Sequence, residues 1–182
     1  MPTDTELVVQ AQKGNQLAFR QIVHRHEQQV RSTVLGMLGD TQEAADVAQE
    51  VFIRFYQSIE KFRGDAKLGT YLSRIAINLS LNELKRRQRK GRWLTFFKKE
   101  DQFDQIEDAY ADPKRQDTRQ LVQKALQQLE PMYRSVVVLR MIDGYSVKET
   151  TEILQLPAGT VASRLSRGQK LLKEILEKWQ AI

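Results

Sequence analysis

Apolar residues along this chain recur at intervals of three and four rather than two, and few glycines fall inside the periodic stretches. That spacing predicts helices over 4–13, 16–36, 41–61 and 69–90, and again over 117–129, 131–142, 146–154 and 157–179. No stretch alternates as a strand would, so the fold class expected is all-α. From Gly91 to about Gln116 no helical period persists, and Asp112-Pro113 near its end is a pair that stops helices. The chain therefore divides into a helical domain at 1–90, a flexible linker at 91–116 and a second helical domain at 117–182. The cluster Trp93, Leu94, Phe96 and Phe97 is apolar for a spacer. It is either a solvated stretch or a segment that docks on something.

The second domain carries the most specific local pattern. Ser146-Val147-Lys148-Glu149 has the layout of a capping box and follows Gly144, which ends the preceding helix. The short helix begun there stops near Leu154, and Pro157 suits the first turn of another. The result is a tight helix-turn-helix. On its second helix Val161, Leu165, Gly168, Leu172, Ile175, Leu176 and Trp179 share one apolar stripe, which turns Ser163, Arg164, Arg167, Lys170 and Lys173 outward. Arginine forks onto guanine edges in the major groove, while lysine and serine serve phosphates. A merely solvated amphipathic helix would show the same polar face.

In the helix expected from 41, Ala44, Val47, Ala48, Val51, Phe55 and Ile59 form a core stripe, and Asp46, Gln49, Glu50, Ile53 and Gln57 lie opposite. Ile53 is out of place among acids and amides. It marks either a protein interface with an apolar anchor and a polar rim or a stray exposed side chain. After it comes a glycine-containing loop with Phe62, Arg63 and Lys67, then a helix bearing Tyr71, Arg74, Asn78, Asn82, Lys85 and Arg86. Aromatics, amides and bases so interleaved stack on unpaired bases, bond their edges and hold phosphates. Phe62 and Tyr71 fit a core role as well.

Composition narrows the chemistry. The chain has 182 residues and a net charge of +6, with an isoelectric point near 9.6, which suits a polyanionic partner. Charge is segregated: Lys85, Arg86, Arg87, Arg89, Lys90 and Arg92 crowd one stretch, whereas residues 100–112 hold acids and no base. Without cysteine there are no disulfides, thiolate metal sites or cysteine nucleophiles. The two histidines, His24 and His26, point about 200° apart on a helix and cannot share a metal. No cofactor is expected. The longest apolar run, Val136 to Leu139, falls far short of the roughly 18 residues a membrane helix needs, and the N-terminus lacks a signal-peptide layout, so a cytoplasmic protein is expected. No phosphate-binding glycine loop or nucleophile motif suggests an enzyme.

Four segments, Asp46-Val47-Ala48-Gln49-Glu50-Val51-Phe52, Phe62-Arg63-Gly64, Tyr71-Leu72-Ser73-Arg74-Ile75-Ala76-Ile77-Asn78 and Gly159-Thr160-Val161-Ala162-Ser163-Arg164-Leu165, stand in an order and spacing that resemble the extracytoplasmic-function (ECF) sigma factors. The resemblance spans about residues 5–90 and 117–178. It implies that Asp46, Gln49, Glu50 and Ile53 bind core RNA polymerase. It further implies that Phe62, Arg63, Lys67, Tyr71, Arg74, Asn78, Lys85 and Arg86 capture the opened minus-ten element, and that Ser163, Arg164, Arg167 and Lys170 meet the minus-thirty-five duplex. An anti-sigma factor is implied as a further partner. Fully extended at about 3.3 Å per residue, a linker of about 26 residues reaches about 80 Å, enough for promoter sites about two DNA turns apart.

The chain departs from the family pattern in places. Tyr71 stands where many members carry tryptophan, Ala162 and Ser166 stand where relatives place larger readers, and Gly168 replaces a common alanine at about 1 kcal/mol of helix propensity unless close packing requires it. The competing reading is a one-component regulator that binds operator DNA as a dimer through the same helix-turn-helix.

Overall fold

The computed structural model describes residues 2–97 and 118–180. As expected, both stretches are helical. The first contains α1 (Asp4–Gln12), α2 (Gln16–Leu38), α3 (Gln42–Ser58) with a 3-10 turn at Ile59–Lys61, and α4 (Leu68–Phe97). The second contains α5 (Thr118–Gln128), α6 (Pro131–Val137) running into a π-helical turn at Val138–Ile142, α7 (Val147–Leu154) and α8 (Ala158–Gln180).

Side chains at the helix starts explain the boundaries. Thr3 and Glu6 close a capping box on α1, Asn15 accepts from the amides of Leu17 and Ala18, and Thr41 accepts from that of Ala44. The box expected at Ser146 and Glu149 is formed on α7. Gly39, at φ 76, ends α2 in a conformation that favours glycine.

Two expectations need correction. The fourth helix does not stop at 90: α4 continues to Phe97. Gly91 lowers propensity by about 1 kcal/mol but removes no hydrogen bond, and extending an existing helix is cheap. The first residues of the expected linker, Gly91 to Phe97, are thus helical. Its remainder from 98 to 117, and the side chains of Trp93, Leu94, Phe96 and Phe97, lie outside the described residues. The helix expected over 131–142 changes to π geometry at Val138. There the amide of Asp143 bonds the carbonyl of Val138, and that of Tyr145 bonds Leu139, so the widened turn redirects the residues that follow it.

In the N-terminal domain α2 packs against α1, α3 and α4 around Leu7, Ile22, Val34, Phe55, Leu72 and Ile77. In the C-terminal domain α6 packs on α8 around Val136, Val137, Val161 and Leu172, all buried. Gly168 sits at this crossing. A Cβ there would lie 2.7 Å from Val137 Cγ2 and 3.5 Å from the carbonyl of Tyr133, so close packing does require the glycine.

The two domains also pack on each other, α2 against α5, α6 and the π turn, and α4 against α7. Gly36 makes a close approach: a Cβ there would lie 2.8 Å from both γ carbons of Val138. Around that contact the seam is polar. The Asp143 carboxylate accepts from Ser32 Oγ and Thr33 Oγ1, both at 2.7 Å. Burial pushes its carboxyl above the usual range and the two hydroxyls pull it back. The Tyr145 hydroxyl donates to the carbonyl of Gly69 at 3.1 Å, which leaves its oxygen to accept from Gln29 Nε2 and Ser73 Oγ, each at 2.7 Å. Burial pushes this phenol up to about 12. Lys67 pairs with Glu149 at 2.9 Å.

Two predictions follow the geometry of the helix-turn-helix domain. Gly168→Ala gains helix propensity but overpacks the α6–α8 crossing, so it should destabilise the chain by about 1–3 kcal/mol. Denaturant unfolding measures this, and a neutral or stabilising result would mean that Val137 gives way freely.

The second concerns Glu149, whose carboxyl the Ser146 amide, then the Lys67 ammonium, hold down to about 2 from 4.5. Its folded value lies below the unfolded one, so its contribution is complete above pH 4.5 and is lost as pH falls from there through about 2. Amide-exchange protection in the first turn of α7 should decline over that window. Glu149→Gln keeps a capping side chain but no charge, and its profile should be flatter there.

Candidate functional site

The side chains singled out from the sequence fall on three surfaces. On α3 the stripe Ala44, Val51 and Phe55 is buried, and Asp46, Gln49 and Ile53 are exposed opposite it, Ile53 by 49%. Glu50 is half-buried and pairs with Arg54 at 2.7 Å. Sequence reasoning missed Tyr56. It lies three residues beyond Ile53 and is 54% exposed, its ring edge-on to Phe19 at 4.9 Å. The helical spacing of three from Ile53 was the available signal. Together Ile53 and Tyr56 give this acidic face a broader apolar anchor.

The second surface runs along the loop after α3 and the outward face of α4. Phe62 and Tyr71 are both half-buried, 4.9 Å apart and edge-to-face, and lie 5.9 and 6.0 Å from the buried ring of Phe55. They are thus wedged against the core, as the core reading expects, while keeping some ring surface accessible. Gln12 pins the loop, its Nε2 donating to the carbonyls of Ile59 at 2.8 Å and Phe62 at 3.1 Å. Gly64 then turns the chain at φ +79, which leaves Arg63 and Lys67 exposed. Arg63, Lys67 and Phe62 border an open groove of about 710 Å³, whose far wall is Tyr145 and Glu149 of the other domain.

Along α4, Tyr71, Arg74, Asn78, Asn82 and Lys85 recur at three and four, so one face collects them. Asn78 and Lys85 are exposed and Arg74 is half-buried. Arg86, also exposed, is committed in part to Glu83, which accepts from its Nε at 2.7 Å and its Nη2 at 3.0 Å. Hydrogen bonds from Arg86, then Arg87, hold the buried Glu83 carboxyl below its usual range. Arg87 was noted only as part of a basic run. Its guanidinium instead reaches the carbonyl of Leu38 at 3.1 Å and Thr41 Oγ1 at 2.9 Å, tying α4 to the α2–α3 corner.

The third surface is α8. Val161, Gly168 and Leu172 are buried as the stripe requires, and Ser163, Arg167 and Lys170 are exposed. Arg164 is half-buried, at the edge of the outward face rather than its centre. The Ser163 hydroxyl donates to the carbonyl of Thr160 at 3.1 Å. Gly159, Ala162 and Ser166 share this exposed face, so a helix with small residues toward its N-terminus presents its cations further along. No helix among the described residues is long and apolar enough to cross a membrane.

Comparison with known proteins gives these surfaces a family. Residues 22–90 match sigma-70 region 2, and residues 119–172 match sigma-70 region 4. The chain is 32% identical to the RNA polymerase sigma-H factor of Pseudomonas aeruginosa, covering 96% of this chain and 94% of that protein. It is 34% identical to the ECF RNA polymerase sigma factor SigW of Bacillus subtilis, with 93% and 94% covered. Against the ECF RNA polymerase sigma-E factor of Escherichia coli K12 the identity is 32%, with 93% and 92% covered. Among solved structures it resembles CnrH in complex with the cytosolic domain of CnrY, with a TM-score of 0.69, 26% identity, and 94% of this chain and 96% of that one covered. The sigma factor RpoE of Bartonella quintana, solved with the anti-sigma factor NepR, shares the fold at a TM-score of 0.69 and 21% identity, with 87% and 96% covered. Two region matches in order, on domains of the expected helical make-up, and relatives covered almost end to end place the chain in the ECF family of RNA polymerase sigma factors.

Proposed function

We propose that this sigma factor, in directing transcription initiation, binds core RNA polymerase through Asp46, Gln49, Glu50 and Ile53. Phe62, Arg63, Lys67, Tyr71, Arg74, Asn78, Lys85 and Arg86 hold the opened minus-ten strand, and Ser163, Arg164, Arg167 and Lys170 meet the minus-thirty-five duplex. The observation that supports this reading is the sorting of side chains by face. An acidic surface with an apolar anchor lies on α3, and aromatic, amide and basic groups share α4. A basic face lies on α8, behind which every position of the stripe is buried or half-buried. Acids around an apolar anchor suit a basic protein partner, stacking rings beside amides suit unpaired bases, and arginine on an outward helix suits a major groove.

An anti-sigma factor is the proposed inhibitory partner. Support comes from the two structural relatives, one solved with the cytosolic domain of CnrY and the other with the anti-sigma factor NepR. The regulator alternative would use the N-terminal domain for sensing or dimerisation, and that domain is instead the part that matches sigma-70 region 2.

Mixing the chain with core RNA polymerase and genomic DNA should yield transcripts from specific starts. The variant with Asp46, Glu50 and Ile53 all replaced by alanine should bind core about tenfold or more weakly, since losing an interface anchor costs about 2 kcal/mol, while its circular dichroism stays unchanged. Wild-type affinity in that variant would remove α3 as the polymerase surface.

Arginine and lysine on α8 should separate by pattern. An arginine that forks onto guanine is worth about 1–3 kcal/mol of discrimination, whereas a phosphate contact contributes alike on any sequence. Arg167→Ala should shrink the affinity gap between a preferred minus-thirty-five duplex and a scrambled one, and Lys170→Ala should weaken both equally. Fluorescence titration of the full chain on both duplexes at several salt concentrations checks this, and an unchanged gap in Arg167→Ala would take Arg167 off the reading surface.

A further inference from the structure

The match to sigma-70 region 2 begins at residue 22, and α1 lies ahead of it. That helix is nevertheless fixed in the domain. Leu7, Val8 and Ala11 are buried, and Asp4 ties its first turn to α2 through Arg25 at 2.6 Å and His26 at 2.9 Å. Its last residue is the half-buried Gln12, whose Nε2 donates to the carbonyls of Ile59 and Phe62, 47 and 50 residues along the chain. An anchored helix thus ends in a side chain that grips the loop bearing Phe62, Arg63 and Lys67.

The grip falls where the loop leaves the domain. The amide of Phe62 closes the 3-10 turn on Ile59 at 3.1 Å, and the Phe62 ring rests on Phe55 and Tyr71. Past that point Arg63, Gly64 and Asp65 are exposed, and no hydrogen bond among the described residues holds their main chain. A Cβ on Gly64 would meet nothing within 4 Å. The carbonyl of Phe62 belongs to the planar peptide that joins it to Arg63, so a donor on that oxygen sets the direction in which the loop departs.

Removing the donor spares the fold more than the loop, because Ile59 keeps the Phe62 amide as a partner. A loop left free is ordered only when it takes up a base, which weakens capture. It also adapts to bases that a preset loop refuses, which weakens discrimination. We propose that Gln12 is a positioning residue for the reading of the minus-ten element: from α1 it presets the Phe62 loop, and through the loop the choice of unpaired base. This inference rests on the function proposed above.

Methionine matches glutamine in length but has no N–H donor, and lysine restores one. Holoenzyme is formed from core RNA polymerase and the full chain. It is placed on a promoter that the wild type uses and on versions with each minus-ten base changed in turn, and strand opening is read by permanganate reactivity. Gln12→Met should narrow the ratio between the original and changed elements by about threefold or more, the size of a lost neutral hydrogen bond, with core affinity and circular dichroism as in wild type. Gln12→Asn keeps the amide but falls one methylene short, and should behave as Gln12→Met does. Gln12→Lys should return the ratio to within about twofold of wild type, and its added charge cannot imitate that recovery because it acts alike on any sequence. In the free chain, backbone amide relaxation should show residues 62–66 more mobile in Gln12→Met and restored in Gln12→Lys.

Loss of opening on every element alike, with the ratio kept, overturns the proposal, because Gln12 would then serve the fold alone. A ratio that Gln12→Lys fails to restore overturns it too, as does loop relaxation unchanged by Gln12→Met. If Gln12→Met loses its circular dichroism, Gln12→Asn carries the same comparisons. Should the wild type open no promoter, the function proposed above fails and the reading of the element with it, while the relaxation still decides whether Gln12 orders the loop.

Discussion

The last turn of α2 is the constraint on which both domains depend. A helix leaves its final carbonyls without internal partners, and here that end is buried, so each one needs a donor from elsewhere. Gly39 supplies its own amide to Leu35. Gln127 of α5 donates to Gly36 at 3.1 Å, Arg134 of α6 donates to Met37, and Arg87 of α4 donates to Leu38 at 3.1 Å. Three helices, two of them in the other domain, thus converge on one helix end. Leaving one of these acceptors buried and unmet costs about 1–3 kcal/mol, so whatever covers this end must bring donors to it.

Arg134 shows how such a site is stabilised. It is a buried cation whose guanidinium also donates to the carbonyls of Gln127 and Leu129 and to Gln127 Oε1. Burial pushes its pKa down to about 10, and it stays charged at neutral pH. The negative end of the α2 dipole and the clustered carbonyls supply the counter-field that a carboxylate supplies elsewhere. The bonds from Gln127 and Arg134 into α2 are made between polar groups that water can replace when the domains part. A seam of this kind opens at a smaller cost than an apolar one of equal size, because separation exposes groups that hydrate well.

Most of the fold was legible because the apolar period is strong. The stripes on α3 and α8, the Ser146–Glu149 box and the outward faces of both helices were found from spacing alone. Three features were not. The π turn after Val137 carries no pattern distinct from a continuing helix, since Val138 and Leu139 keep the apolar run going. The extension of α4 through Gly91 was hidden by a residue that weakens a helix without ending it. The docking of the domains left no apolar signal, because a polar docking face reads in sequence as a solvent face. Thr33 lies on the apolar stripe of α2 between Val30 and Met37, and Ser73 lies beside Leu72 and Ala76 on α4, but nothing in that spacing names Asp143 and Tyr145 as their partners across the seam.

Two helix-internal glycines tie these strands together. Gly36 and Gly168 each cost helix propensity, and each meets a valine so closely that a methyl group would collide, Val138 in one case and Val137 in the other. In sequence they look alike. What separates them is their surroundings: Gly168 lies among apolar residues of its own domain, at a crossing that holds α8 on α6, whereas Gly36 is one turn from Ser32 and Thr33, which bond to the opposite domain. An apolar crossing tightened by glycine is fixed, since parting it exposes only surface that water solvates poorly. A glycine crossing bordered by hydroxyls and a carboxylate leaves hydratable groups on both sides when it parts. The same local device therefore sits in α8 at a crossing whose parting exposes surface that water solvates poorly, and in α2 at one whose parting exposes groups that water solvates well.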